Sequence, residues 1–328
     1  MLRIGLLGCG RIGQVHARTV KGLDNAKIVA VSDAMPAAAE ALAARLGAEL
    51  RDTDAILSAP DIDAVVIGTP TSTHFDQIQA AAKGSKAIFC EKPVDMSVDN
   101  IRALMDVTAK AEVPFFTAFN RRFDPNFAAL QARLRAGEIG AVELIQITSR
   151  DPSPPPIGYI KTSGGLFRDM MIHDFDMARF LMGEEFTTLS AVGSCLVDPE
   201  IGAAGDVDTA AVTLTTASGR ICQISNSRRS TYGYDQRIEV HGSQGMLRAE
   251  NILETSVEVA TADGFRRAPT LNFFLERYEA AYAAEMKAFI DFVSSGMPPN
   301  PSIEDGLQAQ IMADAAALSQ ETGQPVSL

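Results

Sequence analysis

The chain has 328 residues, 46% of them apolar and 21% charged, the make-up of a globular protein of about two domains. A net charge of −12 argues against a nucleic-acid partner, which needs a basic face, and against docking on an anionic membrane surface. Cys9, Cys90, Cys195 and Cys222 are widely spaced and form no C-x-x-C pair, so reduced buried thiols in a cytoplasm are expected rather than structural zinc or disulfides.

Leu2 to Leu7 reads as a buried strand, and Gly5, Gly8 and Gly10 interrupt its apolar run too early for a signal peptide or membrane span. Gly8-Cys9-Gly10-Arg11-Ile12-Gly13 follows at once, then a helix to about Gly22. This is G-x-G-x-x-G in its informative strand–turn–helix context. Gly8 allows the tight turn, Gly10 lets a pyrophosphate approach the backbone, and Gly13 lets helix and strand pack closely. The next strand ends in Asp33, twenty residues after Gly13. A carboxylate there accepts hydrogen bonds from ribose hydroxyls and repels a 2′-phosphate, which favours NAD over NADP; a helix N-cap is the plainer use of the same residue.

Strand and helix keep alternating. Ala64–Gly68 runs into Thr69-Pro70 and His74, Ala87–Cys90 into Glu91-Lys92-Pro93, and Pro114–Phe119 into Asn120. Ligands of doubly wound sheets bind beyond the carboxyl ends of the strands, so one crevice is expected to collect all these positions. Lys92 is set between Glu91 and Pro93, and the proline restricts its backbone to extended conformations while leaving either isomer of the bond open. A helix from Asn120 to Gly137 is expected to link two domains.

From Val142 the periodicity changes to two. Val142–Ser149, Leu189–Val197, Thr209–Thr216, Arg220–Ser227, Gln236–Val240, Met246–Ala249 and Ser256–Thr261 read as a large antiparallel sheet, with one face open to a second subunit. Asp151 through Thr162 is proline-rich and reads as a loop rimming a pocket. Gly164-Gly165 then leads into a run ending at Gly183, read as one buried helix with Asp169 and His173 a turn apart. A buried Asp–His pair is either satisfied in the core or used for chemistry. A zinc reading of Asp169, His173 and Asp176 is weak, and no metal is expected. Two helices, Glu276–Ser294 and Ser302–Glu321, close the chain.

The glycine loop, Glu91-Lys92-Pro93, Gly164-Gly165 and Asp169-x-x-x-His173 together resemble the glucose–fructose oxidoreductase / inositol dehydrogenase family over nearly the whole chain. Asn120–Asp124, Ser149–Pro152 and Asp169–Asp176 are similar to the inositol 2-dehydrogenase branch in particular. The resemblance implies a catalytic set of Lys92, Asp169 and His173. It implies an NAD site at Gly8, Gly10, Arg11, Ile12, Gly13, Asp33, Thr69, Pro70, His74, Glu91, Lys92 and Asn120, and a polyol site that adds Arg121, Asp151 and Tyr234. It also implies a homotetramer.

The expected architecture is therefore α/β. A Rossmann domain with a doubly wound parallel sheet spans residues 1–120, and an α+β domain with a large open, mainly antiparallel sheet spans 121–328, its C-terminal helices free to pack back on the first domain. The expected activity is NAD-dependent oxidation of a ring hydroxyl of myo- or scyllo-inositol to the ketone. An aldose 1-dehydrogenase, or a non-catalytic NAD-binding sensor on the same fold, stays open as an alternative.

Overall fold

A computed structural model describes all 328 residues. The chain divides into two compact units, one formed by Met1–Phe123 with Ala281–Gln310, the other by Asp124–Ala280 with Ile311–Leu328.

The first unit is built on six parallel strands, β1 (Leu2–Leu7), β2 (Ala26–Ser32), β3 (Glu49–Leu50), β4 (Ala64–Ile67), β5 (Ala87–Glu91) and β6 (Phe115–Ala118), in the order β3-β2-β1-β4-β5-β6. The order reverses direction at β1, which puts a topological switch point between β1 and β4. Continuous apolar runs such as Ala64-Val65-Val66-Ile67, buried at every position, are what a sheet covered on both faces requires. Its core also takes Met286, Phe289, Ile290 and Phe292 from the helix Glu279–Ser295. The Phe289 ring lies 5.4 Å from Phe89 and 5.8 Å from Phe116, centroid to centroid, edge-on to each.

The second unit carries a seven-stranded sheet. Its strands are β7 (Val142–Arg150), β8 (Phe186–Ser194), β9 (Thr209–Thr216), β10 (Ile221–Ser227), β11 (Asp235–Gly242), β12 (Gly245–Ala249) and β15 (Val326–Ser327), ordered β12-β11-β7-β10-β9-β8-β15. All pairs are antiparallel except β7–β10. Burial alternates along β9 and β10, so one face is covered and the other is not. Residues 256–261 do not join this sheet. Glu258–Thr261 (β13) pairs only with Gly264–Arg267 (β14), in a hairpin exposed at every position.

Three further sequence expectations change in detail. The linking helix starts at Pro125, not Asn120: Asn120–Phe123 is a 3-10 turn, and the Asp124 carboxylate caps the α-helix by accepting the N–H groups of Asn126 and Phe127. The proline-rich segment is a loop only as far as Pro156, because Ile157–Ser163, free of proline, forms two turns of helix that stop at Gly164 with φ +85°. The run containing Asp169 and His173 is two helices, Gly165–Asp169 and Ile172–Met182.

Candidate active site

In the first unit the strand register brings the expected cofactor residues to one edge. Leu7 is level with Ser32 and Ile67, Ile67 with Cys90, and Glu91 with Ala118, so the segments that follow these strands leave the sheet side by side. Gly8 has φ +93°, and a Cβ there would lie 2.5 Å from the Gly68 carbonyl oxygen. A Cβ at Gly13 would lie 1.9 Å from the Gly8 carbonyl oxygen, whereas one at Gly10 would meet nothing within 4 Å. Two glycines thus set the turn and the third leaves open space at the head of the helix Arg11–Lys21, as a pyrophosphate requires. Arg11 and Ile12 form the first turn of that helix.

Asp33 lies just beyond β2. Its carboxylate accepts the Cys9 N–H at 2.5 Å and the Met35 N–H at 2.7 Å, which fixes the glycine loop against the neighbouring strand end. Burial, and secondarily the Asp33 charge, push the Cys9 thiol up to about 11.

Thr69 donates its hydroxyl proton to Gln77 at 2.8 Å and accepts from Thr73 at 2.9 Å, while the Pro70 carbonyl accepts the Thr73 N–H. His74 is buried, its Nδ1 2.9 Å from the Pro93 carbonyl oxygen and its Nε2 3.0 Å from that of Thr69. It therefore spans the Thr69-Pro70 and Lys92-Pro93 segments. Burial lowers its pKa against the opposing pull of the two carbonyls. Glu91, the last residue of β5, meets the Nε2 of the fully buried His16 at 2.6 Å, and this ring packs edge-on to Phe89. Lys92 follows directly, joined to Pro93 by a cis bond. Asn120 and Arg121 are both buried in the 3-10 turn after β6.

The second unit holds the other set. The Met170 and Met171 N–H groups both donate to the Leu166 carbonyl, and those of Asp174 and Phe175 both donate to Met171, so one helix ends and the next begins at Met170-Met171. Asp169 closes the first helix and His173 lies in the first turn of the second, rather than the two stacking one turn apart on a continuous helix. The Asp169 carboxylate accepts the Tyr159 hydroxyl at 2.8 Å and faces the Arg228 guanidinium at 3.4–3.5 Å. Tyr159 is half exposed as a residue, yet burial of its hydroxyl end, reinforced by Asp169, raises its pKa. Asp174 accepts from the Asn226 amide at 2.9 Å, and Asp176 is buried.

Asp151 leaves β7 with its N–H on the Ser227 carbonyl. Tyr234 is buried edge-on to Tyr278, ring centroids 6.0 Å apart. No group of three or more His, Cys, Asp or Glu side chains is arranged to hold a metal ion. Tyr159 and Arg228 escaped the sequence reading. The first lies in the segment read as a loop, and the second had only its position after a strand to mark it.

The β-order, the glycine loop and the acidic residue after β2 define the first unit as a dinucleotide-binding oxidoreductase scaffold. The chain belongs to the GFO/IDH/MocA oxidoreductases: residues 2–119 match the family's NAD-binding Rossmann fold and residues 127–248 its C-terminal domain. It is 54% identical over 327 residues to the inositol 2-dehydrogenase of Rhizobium meliloti (strain 1021), covering 100% of this chain and 99% of that protein. It is 47% identical over 329 residues to the myo-inositol 2-dehydrogenase of Thermotoga maritima, covering 100% and 98%. Among solved structures, scyllo-inositol dehydrogenase from Lactobacillus casei with bound NAD(H) and scyllo-inositol matches at a TM-score of 0.93 and 31% identity, covering 100% of this chain and 99% of that one.

Proposed function

We propose that this chain oxidises a ring hydroxyl of an inositol, myo or scyllo, to the ketone. The observation that carries the reading is full-length similarity to dehydrogenases named for these substrates, one of them solved with NAD(H) and scyllo-inositol bound. NAD, held by Gly8–Gly13 with Asp33 on the ribose side, supplies hydride-accepting chemistry for the carbinol carbon. Thr69, Pro70, His74, Glu91 and Asn120 shape the rest of that cradle.

His173 takes the proton of the reacting hydroxyl as general base, its side-chain type being the one that titrates nearest neutrality. Lys92 donates a hydrogen bond to the same oxygen and stabilises the alkoxide charge that develops on it. Asp169 orients the imidazole and stabilises its cation. Arg121, Asp151 and Tyr234 hold the remaining hydroxyls. In this reading the protein works in the cytoplasm, its four cysteines all being free thiols, as a homotetramer assembled through the uncovered face of the seven-stranded sheet.

The test is turnover with a panel of inositol isomers and aldoses, NAD and NADP in parallel, on native protein, Lys92→Met and His173→Ala. Each substitution is expected to lower kcat by at least about a hundredfold while leaving the Kd for NAD within about twofold. Near-native oxidation rates in both variants would sink the mechanism. Turnover confined to aldoses would replace the substrate.

A further inference from the structure

We infer that Arg228 and Tyr159 are positioning residues for the reaction, acting through Asp169; the inference rests on the catalytic role proposed above for Asp169 and His173. Arg228, just after β10, is 1% exposed, and its backbone is fixed by its own N–H on the Asp208 carbonyl. A guanidinium so buried must be compensated by anions. Two are in place: Asp169 at 3.4 Å and Asp206 at 3.8 Å. The other Asp206 oxygen accepts the Leu166 N–H at 3.0 Å.

Leu166 and Asp169 lie at opposite ends of the five-residue helix Gly165–Asp169. Arg228 therefore ties that helix at its end directly and at its start through Asp206. A Cβ at Gly165, where φ is +84°, would come within 2.7 Å of the Asp206 carboxylate, so a glycine is needed for Asp206 to reach Leu166. Tyr159 adds a third hold by donating to the Asp169 oxygen that Arg228 does not face.

So short a helix, cut off from its successor at Met170-Met171, has little cooperativity of its own to fix the direction of its last side chain. The break also removes the continuous helical backbone that would otherwise lock Asp169 to His173. The carboxylate direction is set instead by the sheet, through Arg228, and by the preceding helix, through Tyr159. Lysine cannot reproduce this. The planar fork addresses two acids at once, and an ammonium on a flexible stem addresses one.

The experiment is a pair of double-mutant cycles on the full-length protein with saturating NAD, combining R228M or Y159F with D169N. Readouts are kcat and KM for the inositol, NAD affinity, and Tm. R228M is expected to lower kcat about thirtyfold and Y159F about fivefold in the native background, each less than about twofold in D169N, with NAD affinity unchanged. R228K is expected to recover part of the loss. Equal losses in the native and D169N backgrounds, or no loss in the native one, overturn the inference. If R228M does not fold, the R228K and Y159F cycles decide it alone. Native kcat in D169N itself overturns the catalytic reading and this inference with it, and is recognisable because no second substitution is involved.

Discussion

A methyl group at residue 13 would sit 1.9 Å from the Gly8 carbonyl oxygen, which no backbone tolerates, whereas one at residue 10 meets open space. The two glycines therefore fail differently when replaced. Gly13→Ala is expected to lower Tm and weaken NAD binding together, because helix and loop must part. Gly10→Ala is expected to leave Tm within about a degree and weaken NAD binding at least about tenfold, because it fills the pyrophosphate space. Thermal shift with and without NAD separates them, and equal Tm losses would refute the assignment. At Cys9 the native thiol titrates near 11 against 9.0 for the ordinary group. The unfolded chain releases that proton first as pH rises, so this residue's contribution, fully present below pH 9, fades between pH 9 and 11. Cys9→Ser is expected to flatten the alkaline fall in unfolding free energy over that window. The glycines and Asp33 were readable because their spacing is fixed by one local turn. Arg228 was not, because what marks it is a pair of carboxylates 59 and 22 positions away in the chain, 228 − 169 and 228 − 206.

At the level of elements, periodicity located most helices and strands, and the errors share one cause. A continuous apolar run looks the same whether its helix is whole or broken, and the break at Met170-Met171 shows only in where the backbone hydrogen bonds go. Likewise the alternation of Ser256–Thr261 marks a strand but cannot say which partner it takes, and it takes the neighbouring β14. The helix Pro125–Arg135 illustrates a fixture invisible to periodicity. Its cap, Asp124, is also the acceptor of the buried Arg277, whose guanidinium lies 5.3 Å from the Phe127 ring centre and 4.8 Å from that of Tyr278. Asp124→Ala leaves that guanidinium uncompensated and uncaps the helix. The expected cost is about 3–5 kcal/mol, read as a Tm drop of about 10 °C. A drop below about 3 °C would show that the pair is not holding the unit together.

At the scale of the molecule, the Rossmann unit is discontinuous in sequence, its core being completed by a late segment of the chain. Residues 281–310 belong to the first compact unit, and Phe289 and Phe292 lie in its aromatic core. Nothing in the local pattern of Glu279–Ser295 says which sheet its apolar side will meet. A fragment of residues 1–123 is accordingly expected to lack a cooperative thermal transition and to bind NAD poorly. A fusion of 1–123 with 281–310 through a flexible linker is expected to recover both. Circular dichroism melts check this, and a sharply melting 1–123 fragment would contradict it.

The same late-arriving helix bears on how the protein is made. A ribosome has synthesised β1 to β6 and the whole seven-stranded sheet except β15 before Phe289 emerges. The nucleotide-binding half, first in sequence, therefore stays unfinished on the growing chain until the other half has largely left the exit tunnel. Nascent polypeptide stalled short of that point exposes the apolar surface of Phe89 and Phe116, which makes it a natural client for chaperones.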